Sequence, residues 1–477
     1  MPAKASILKI KQYNGRFGCI ACFHPGRREG ASNTYPYDKD YRLKKNKHYV
    51  KYSKLADEIN INKDKSKLES IFGFFGSTSM DKLLIIPNQI PFDYMHLVLQ
   101  GHSRWLLGRI FTDKAVDDIY LGKNSDLLNK LLIRTKLPHT MSRKPQDVNE
   151  LLRWKSSEIK IFVLYLAVPI FLNLLPSWYF YRFCSYVFFV RTLYEEINDK
   201  DLALCDEVIK KYIKDLEDTF TSSALTYTIH AHLHLIEQVK NHGPLYCHSQ
   251  FFFEGALNNL KNLLHGTRGF INQITKQIFH LKDIKFKIEK QDFKNDELYS
   301  FTMKTYSFNL NENSLIGSVD KRKATNNEKE IFINCFNHKI EMLLVGYRIK
   351  MKNKIYHSKS YTRRGNTNSF TISYLKNNEK RYGDIEFFYD VNDTIYAYVS
   401  KYEIKKNISD LLPKSSGYFY DVVKDHFFKK FYKIIENTEN VENEIIPCES
   451  ILNRCIIIKS SNNLSFITEL AYEFEHD

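Results

Sequence analysis

The feature that most constrains this chain is a change of apolar period along it. From about residue 93 to 295 the apolar residues recur every three or four positions, as in Met95, Leu97, Val98, Leu99, Trp105, Leu106, Leu107, Ile110 and Phe111. That is the spacing of buried helical faces. The same texture runs through 161–170, 179–193, 203–220, 226–239 and 253–281. After about 330 the period becomes two. Phe370, Ile372 and Tyr374 alternate with Thr371 and Ser373, the pattern of a half-buried strand. Other β-rich runs are 342–349, 385–389 and 394–399, with further strands expected at 455–459 and 464–467. Gly365-Asn366 and Gly383-Asp384 supply turns between them. Between the two textures, 286–330 has the Lys, Asn, Asp, Glu and Ser content of a linker. The expected fold is α+β, mainly helical first and closed by a small β-rich C-terminal domain.

A chain of 477 residues is long enough for two or three domains with real cores. Lys and Arg number 70 against 55 Asp and Glu, a net charge of +15. Such a surplus favours a polyanionic partner through counterion release. A soluble protein from a lysine-rich, AT-biased genome would show it too. The most apolar stretch, 161–175, contains Pro169 and Asn173. It is shorter than the ~20 residues a bilayer span needs, so a buried core helix is expected and no membrane partner. The opening MPAKASILKIKQYNG has no signal-peptide pattern. Of the eight cysteines only Cys19 and Cys22 are close together. The rest form no disulfide framework, which points to a reducing compartment, nuclear or cytoplasmic.

Gly18-Cys19-Ile-Ala-Cys22-Phe-His24-Pro-Gly26 puts two thiols in one Gly-bounded turn. Two thiolates so spaced can face one ion, but tetrahedral zinc needs two more ligands. The pair could equally be redox-active or two buried thiols. His24 offers a third donor, although Pro-Gly after it signals a turn. In Thr226-Tyr-Thr-Ile-His230-Ala-His232-Leu-His234, His230 and His234 share one helical face and His232 takes the other. Cys19, Cys22, His230 and His234 would make a closed structural zinc site. The alternative is capped or surface histidines with no metal. Asp93, three residues before His96, reads as a helix N-cap, with a metal or acid–base pair as the rival role. Glu254, after Phe251-Phe252-Phe253, is expected to be partly buried at a helix start, where the dipole favours an acid. For DNA contact the candidates are Lys44, Lys45 and Lys47 in the basic stretch 39–54, and Lys261 and Arg268 beyond Glu254. Solvated faces explain these equally well.

Taken in order, these strings resemble one family. They are Tyr13-Asn-Gly-x-Phe-Gly-Cys-x-x-Cys-x-His-Pro-Gly, Gly73-x-x-Gly-Ser77, Asp93-Tyr-Met-His96 and Trp154-Lys-x-x-Glu158. His230-x-x-x-His234, Gly243-Pro-Leu, Ser249, Phe253-Glu254 and His265-Gly-Thr-Arg268 follow. The sequence is similar to metazoan transposase-like proteins related to CACTA (En/Spm) elements. Those are distant relatives of the Transib transposases and of the catalytic subunit of the V(D)J recombinase. The resemblance covers roughly 8–280 well and the β-rich tail loosely.

It implies a partial ribonuclease-H-like core interrupted by a large helical insertion. The implied division is a zinc knuckle and basic segment (1–55), the helical insertion with core helices (56–285), the polar linker (286–330) and the β-rich domain (331–477). In an intact parent, two Asp and one Glu would hold Mg or Mn ions for DNA cleavage and strand transfer. Glu254 would be that Glu, and Cys19, Cys22, His230 and His234 the structural zinc ligands. Double-stranded DNA is the implied partner, with homo-oligomers plausible by analogy. Relatives carry Asp-x-Pro-Ala-Lys/Arg before the knuckle, whereas this sequence reads Met1-Pro2-Ala3-Lys4. The position of that Asp and the strands upstream of it are not in the sequence. One carboxylate cannot hold two such ions, so no strand cleavage is expected from this chain alone. A zinc-stabilised DNA-binding or assembly protein derived from a transposon is the alternative.

Overall fold

The computed structural model describes residues 2–290, 297 and 314–471, apart from 31, 142, 196, 338, 352–353, 393, 406–410 and 437–441. Helices dominate up to residue 289, and a β-rich unit follows. Among the described residues of the first part, the paired strands are the short ribbon Arg27–Glu29 and Ser32–Thr34.

The helix Ser177–Tyr194 is apolar on nearly every side and buried from Tyr179 to Tyr194 except at Arg182. A helix with no polar face must be enclosed. The amphipathic helix Asp199–Phe220 covers one side of it, turning Leu202, Cys205, Val208, Ile209, Tyr212, Ile213 and Leu216 inward. The apolar run at 161–171 forms the buried core helix its composition suggests. Pro169 has no N–H to give the carbonyl four residues back. That carbonyl, Tyr165 O, instead accepts from Tyr432 Oη at 2.8 Å, and Leu164 O accepts from Arg191 Nη1 at 3.1 Å. The proline defect is thus repaired by a tyrosine far along the chain. Among the described residues no helix is long and apolar enough to cross a membrane.

In the β-rich unit seven strands lie side by side: Lys433–Ile435, Ser465–Glu469, Ile451–Lys459, Thr371–Lys376, Glu379–Val391, Thr394–Lys401 and Asn443–Pro447. Met342–Gly346 also pairs with Glu379–Val391, and Val319–Lys323 pairs with Met342–Gly346. All pairs in this sheet are antiparallel. Thr371–Lys376 corrects one expectation. Ile372 and Tyr374 are buried, but so are Thr371 and Ser373 on the opposite face. The strand is central and covered on both sides. Thr371 Oγ1 is occupied by donation to Asp384 Oδ1 at 2.6 Å and by a bond from Asn368 Nδ2 at 2.8 Å.

The main core runs without a break from Leu8 to Leu470, taking in Phe427, Phe431, Ile456, Ile458 and Phe466 beside the helical residues. Arg191 joins the two parts. It is 1% exposed, donates from Nη2 to Glu469 O at 2.9 Å, and lies 4.4 Å from the centre of the Phe431 ring.

The polar stretch 286–330 holds more structure than its composition suggests, although 291–296 and 298–313 lie outside the described residues. The helix Phe270–Glu289 enters it, and Val319–Lys323 is a strand. Thr325 then caps Asn326–Phe336 in a capping box with Glu328. Glu328 is buried, receives Arg322 in two bonds of 2.8 and 2.5 Å, and also accepts from Tyr389 Oη. Burial alone would raise its pKa, but Arg322, Tyr389 and Thr325 outweigh burial and hold it at about 2. A carboxyl depressed on folding stabilises fully above its ordinary value and loses that contribution as pH falls towards the folded value. Glu328→Gln is therefore expected to cost about 1–3 kcal/mol at pH 7. The gap from wild type should close between about pH 4.5 and 2. Urea unfolding at neutral and acid pH checks this, and an equal gap at both would refute it.

Candidate metal centre

The N-terminal knuckle is shaped by close backbone approaches. A Cβ at Gly18 would lie 2.3 Å from Gln12 O, and one at Gly73 the same distance from Phe17 O. Gly73 also sits at φ +89°, and its carbonyl accepts from Lys11 N at 2.7 Å. Only glycine fits either place. Phe23 N donates to Arg42 O and Lys44 N to Ala21 O, both at 2.8 Å, so the cysteine turn is laced to 42–44. Tyr35 N donates to Leu225 O at 2.7 Å and brings the knuckle to the histidine segment.

There the two halves of the motif meet. Cys19 Sγ is 3.5 Å from His234 Nε2, and Cys22 Sγ is 3.3 Å from His230 Nε2. All four donor atoms lie within 4.8 Å of one another, and all four residues are buried. Zinc at about 2.3 Å from sulfur and 2.0–2.1 Å from nitrogen spaces tetrahedral S and N ligands about 3.5 Å apart. The cluster could therefore hold a metal such as zinc. Burial pushes the Cys19 thiol up, but hydrogen bonds from Cys22 and both imidazoles, with the charge of His234, outweigh it. The thiol ends well below its ordinary range. A soft, nearly dry pair of sulfurs with two imidazoles, closed to solvent, suits a structural ion.

Aromatic rings fix the imidazoles. Tyr35 stacks on His230 at 4.9 Å, Phe92 on His234 at 5.9 Å, and Tyr41 meets His234 edge-on at 5.5 Å. His232 points away, as its spacing requires, and is buried with a 2.7 Å bond to Thr228 O. His24 is no ligand. Its Nε2 is 3.0 Å from Pro36 O, and its Nδ1 accepts from Gly26 N.

Lys44 departs from its expected place on a DNA-facing surface. It is buried, and its ammonium donates to Cys19 O at 2.7 Å and Phe17 O at 3.3 Å, 4.9 Å from the centre of the Phe74 ring. Burial lowers its pKa to about 8 against the raising influence of the two thiols. It is a supporting cation for the sulfurs, not a phosphate contact. Lys45 and Lys47 are exposed at the start of the helix Asn46–Ile59. Lys261 and Arg268 are exposed near the end of the helix Phe251–Asn262 and in the turn after it.

Glu254 also departs from expectation. Only Phe251 of the aromatic run is buried, under Lys160 Nζ at 4.8 Å from the ring centre. Phe252 and Phe253 face outward, and the Glu254 side chain is 58% exposed. Its neighbour is His96, whose Nε2 lies 3.7 Å from Glu254 Oε1. His96 Nδ1 is held by Asp93 Oδ2. Asp93 is the expected cap, accepting from His96 N at 2.9 Å and Met95 N at 3.3 Å. It also accepts from Gln250 N at 2.9 Å, which ties the Glu254 helix to the Asp93 turn. Lys4 Nζ donates to Pro91 O at 3.1 Å, so the short helix Pro2–Ile7 ends up beside this turn. The Asp93–His96 spacing was visible in the sequence, but their meeting with Glu254 was not.

In comparisons with family models, with curated proteins and with solved structures, nothing matches the chain.

Proposed function

We propose that this chain derives from a DDE-type DNA transposase related to the CACTA and Transib groups, and that it binds double-stranded DNA without cutting it by itself. The observation that carries the reading is the meeting of Cys19 and Cys22 with His230 and His234, more than two hundred residues later. In the family those positions are zinc ligands. The second support is the convergence of three other motif strings at Glu254. These are the segment at Lys4, the Asp93–His96 turn and the helix after Ser249. A ribonuclease-H-like core would gather its carboxylates at such a place.

The two-metal chemistry of the family needs three carboxylates. Among the described residues Glu254 has no free carboxylate beside it, because Asp93 is committed to His96 and to the N–H groups of 95, 96 and 250. The residues present therefore do not fit a two-metal centre. What this chain retains of the family's work is DNA contact and assembly. Lys45, Lys47, Lys261 and Arg268 are the cations we assign to phosphates. The compartment implied is the nucleus.

The test is binding of the purified chain to duplex DNA across a salt series, without divalent cation. Roughly 1–100 µM affinity at physiological salt is expected, with log K falling linearly in log salt. Each of Lys47→Ala and Lys261→Ala should reduce the slope by about 1. Salt-independent binding, or none, refutes the reading. Glu254-dependent cutting with Mg2+ refutes the proposed incompleteness.

A further inference from the structure

We infer that the cleft between the end of the helix Ser177–Tyr194 and the sheet edge at Lys433–Ile435 binds a small phosphate monoester, with Lys433, Lys430 and Lys380 around the phosphate. The cleft shares no residue with the Cys19 cluster or with the cations assigned above to DNA.

The cleft has a volume of about 350 Å³. Small-molecule sites start at about 300 Å³ and favour seams between structural units. Here both parts of the chain supply walls. Arg191 and Glu195 come from the end of Ser177–Tyr194, Lys430 from the short helix Phe428–Phe431, Lys433 from the edge strand, and Lys380 and Glu469 from two other strands of the sheet. Their charges do not balance, for four cations face two carboxylates. Glu195 pairs with Arg191 at 3.4 Å, and Asp201 meets Lys430 at 2.7 Å. Glu469 is full. It accepts from Lys380 Nζ at 2.9 Å, Tyr382 Oη at 3.0 Å and Asn453 Nδ2 at 2.9 Å. Lys433 is the cation left over. Among the described residues it makes no ion pair, and its ammonium donates only to Lys429 O at 2.7 Å. An ammonium has three protons, so two remain for a ligand. Burial lowers the Lys433 pKa, with help from the charge of Lys380 and against the pull of Glu469. A bound anion would relieve that cost.

The lining selects the anion. A phosphate monoester carries about −1.5 to −2 charge at pH 7 and three strong acceptor oxygens, enough to meet three ammonium groups together. A carboxylate offers one charge and two oxygens. The cleft is also lined by Tyr246, Phe431, Ile467 and Leu470, which favour an organic body on the phosphate over the bare ion.

The experiment is calorimetric titration of the full chain in phosphate-free, low-salt buffer at pH 7, with adenosine 5′-monophosphate and phenyl phosphate as probes. At least one should bind with Kd below about 1 mM. Adenosine and phenol should not bind, and inorganic phosphate should bind at least about tenfold more weakly than the better probe. Lys433→Gln should weaken binding by about tenfold or more, and Lys433→Arg, which keeps the charge, should recover most of it. Lys380→Gln, at a side chain 48% exposed and so of little risk to folding, should also weaken it by several-fold. Lys321→Gln, on the exposed strand Val319–Lys323, should bind as wild type. Neither probe binding at about 1 mM overturns the proposal. So does unchanged binding in both Lys433→Gln and Lys380→Gln, or equal affinity for adenosine or for inorganic phosphate. Displacement of the probe by an equal concentration of duplex DNA with 5′-hydroxyl ends would make the cleft a backbone contact and overturns it too. Because Lys45, Lys47, Lys261 and Arg268 do not line the cleft, failure here leaves the DNA reading standing, and the reverse also holds.

Discussion

Cys19→Ser is expected to abolish metal binding by the Cys–His cluster and to loosen the knuckle from the helical body. A serine hydroxyl stays protonated at neutral pH and does not replace a thiolate. The ion would be left with Cys22, His230 and His234 in a site designed by its burial to be closed. In isolated zinc-finger peptides the metal contributes roughly 10–16 kcal/mol of apparent folding energy. Here a large core remains, so the loss should be smaller, about 3–5 kcal/mol. The melting point should fall by roughly 3–5 °C, because a core of this size has a large unfolding entropy. Amide exchange should rise first over 8–44, the segment that the cysteines and Lys44 bind together. His234→Ala should behave alike. Cys184→Ser, at a buried thiol outside the cluster, should keep full metal. Metal analysis with calorimetry decides it. If Cys19→Ser and His234→Ala both retain full zinc and wild-type melting, the centre is not a zinc site.

Arg191→Ala is the other large effect. The guanidinium is nearly inaccessible, donates to Leu164 O and Glu469 O, pairs with Glu195 at 3.4 Å and packs against Phe431. Removing it leaves two buried carbonyls without these donors and a cavity between the helical part and the sheet. A loss of about 3–5 kcal/mol is expected, as for other buried charged groups that lose a partner. Arg191→Lys should recover only part, since one ammonium cannot reach two carbonyls and stack at once. Denaturant midpoints for the two variants test this. A loss below about 1 kcal/mol in Arg191→Ala would mean that the helical part and the sheet are joined by other contacts.

Much of the fold class was legible because period is a local property. Three-to-four spacing marked the helices, and alternation with the Gly365-Asn366 turn marked several of the strands, whereas Gly383-Asp384, expected to be a turn, lies inside the strand Glu379–Val391 and pairs on both sides. Faces were harder. Thr371 and Ser373 looked solvent-facing because they are polar, but the strand is covered on both faces, and the Thr371 hydroxyl is satisfied by Asp384 on the neighbouring strand and by Asn368 three residues before it. The strand Val319–Lys323, four of whose five residues are exposed, carries no apolar alternation, so its composition read as linker. At the site, the grouping of Cys19, Cys22, His230 and His234 was readable from residue type and helical spacing. Lys44 was misplaced because a lysine's sequence neighbours do not say whether its ammonium turns in or out. Nothing near His96 announces Glu254, which arrives 158 positions later.

The spacing of the Cys–His cluster along the chain has a consequence in time. Cys22 and His230 are separated by 208 positions. At a synthesis rate of roughly 5–20 residues per second, the cysteines wait roughly 10–40 s on the ribosome before their histidines exist. Through that interval the thiols have no imidazole partners and the segment around them has nothing to close onto. A nascent chain stalled before residue 230 should therefore be far more open to thiol alkylation and to chaperones than one released past it, and metal supply during translation would set the yield of folded protein.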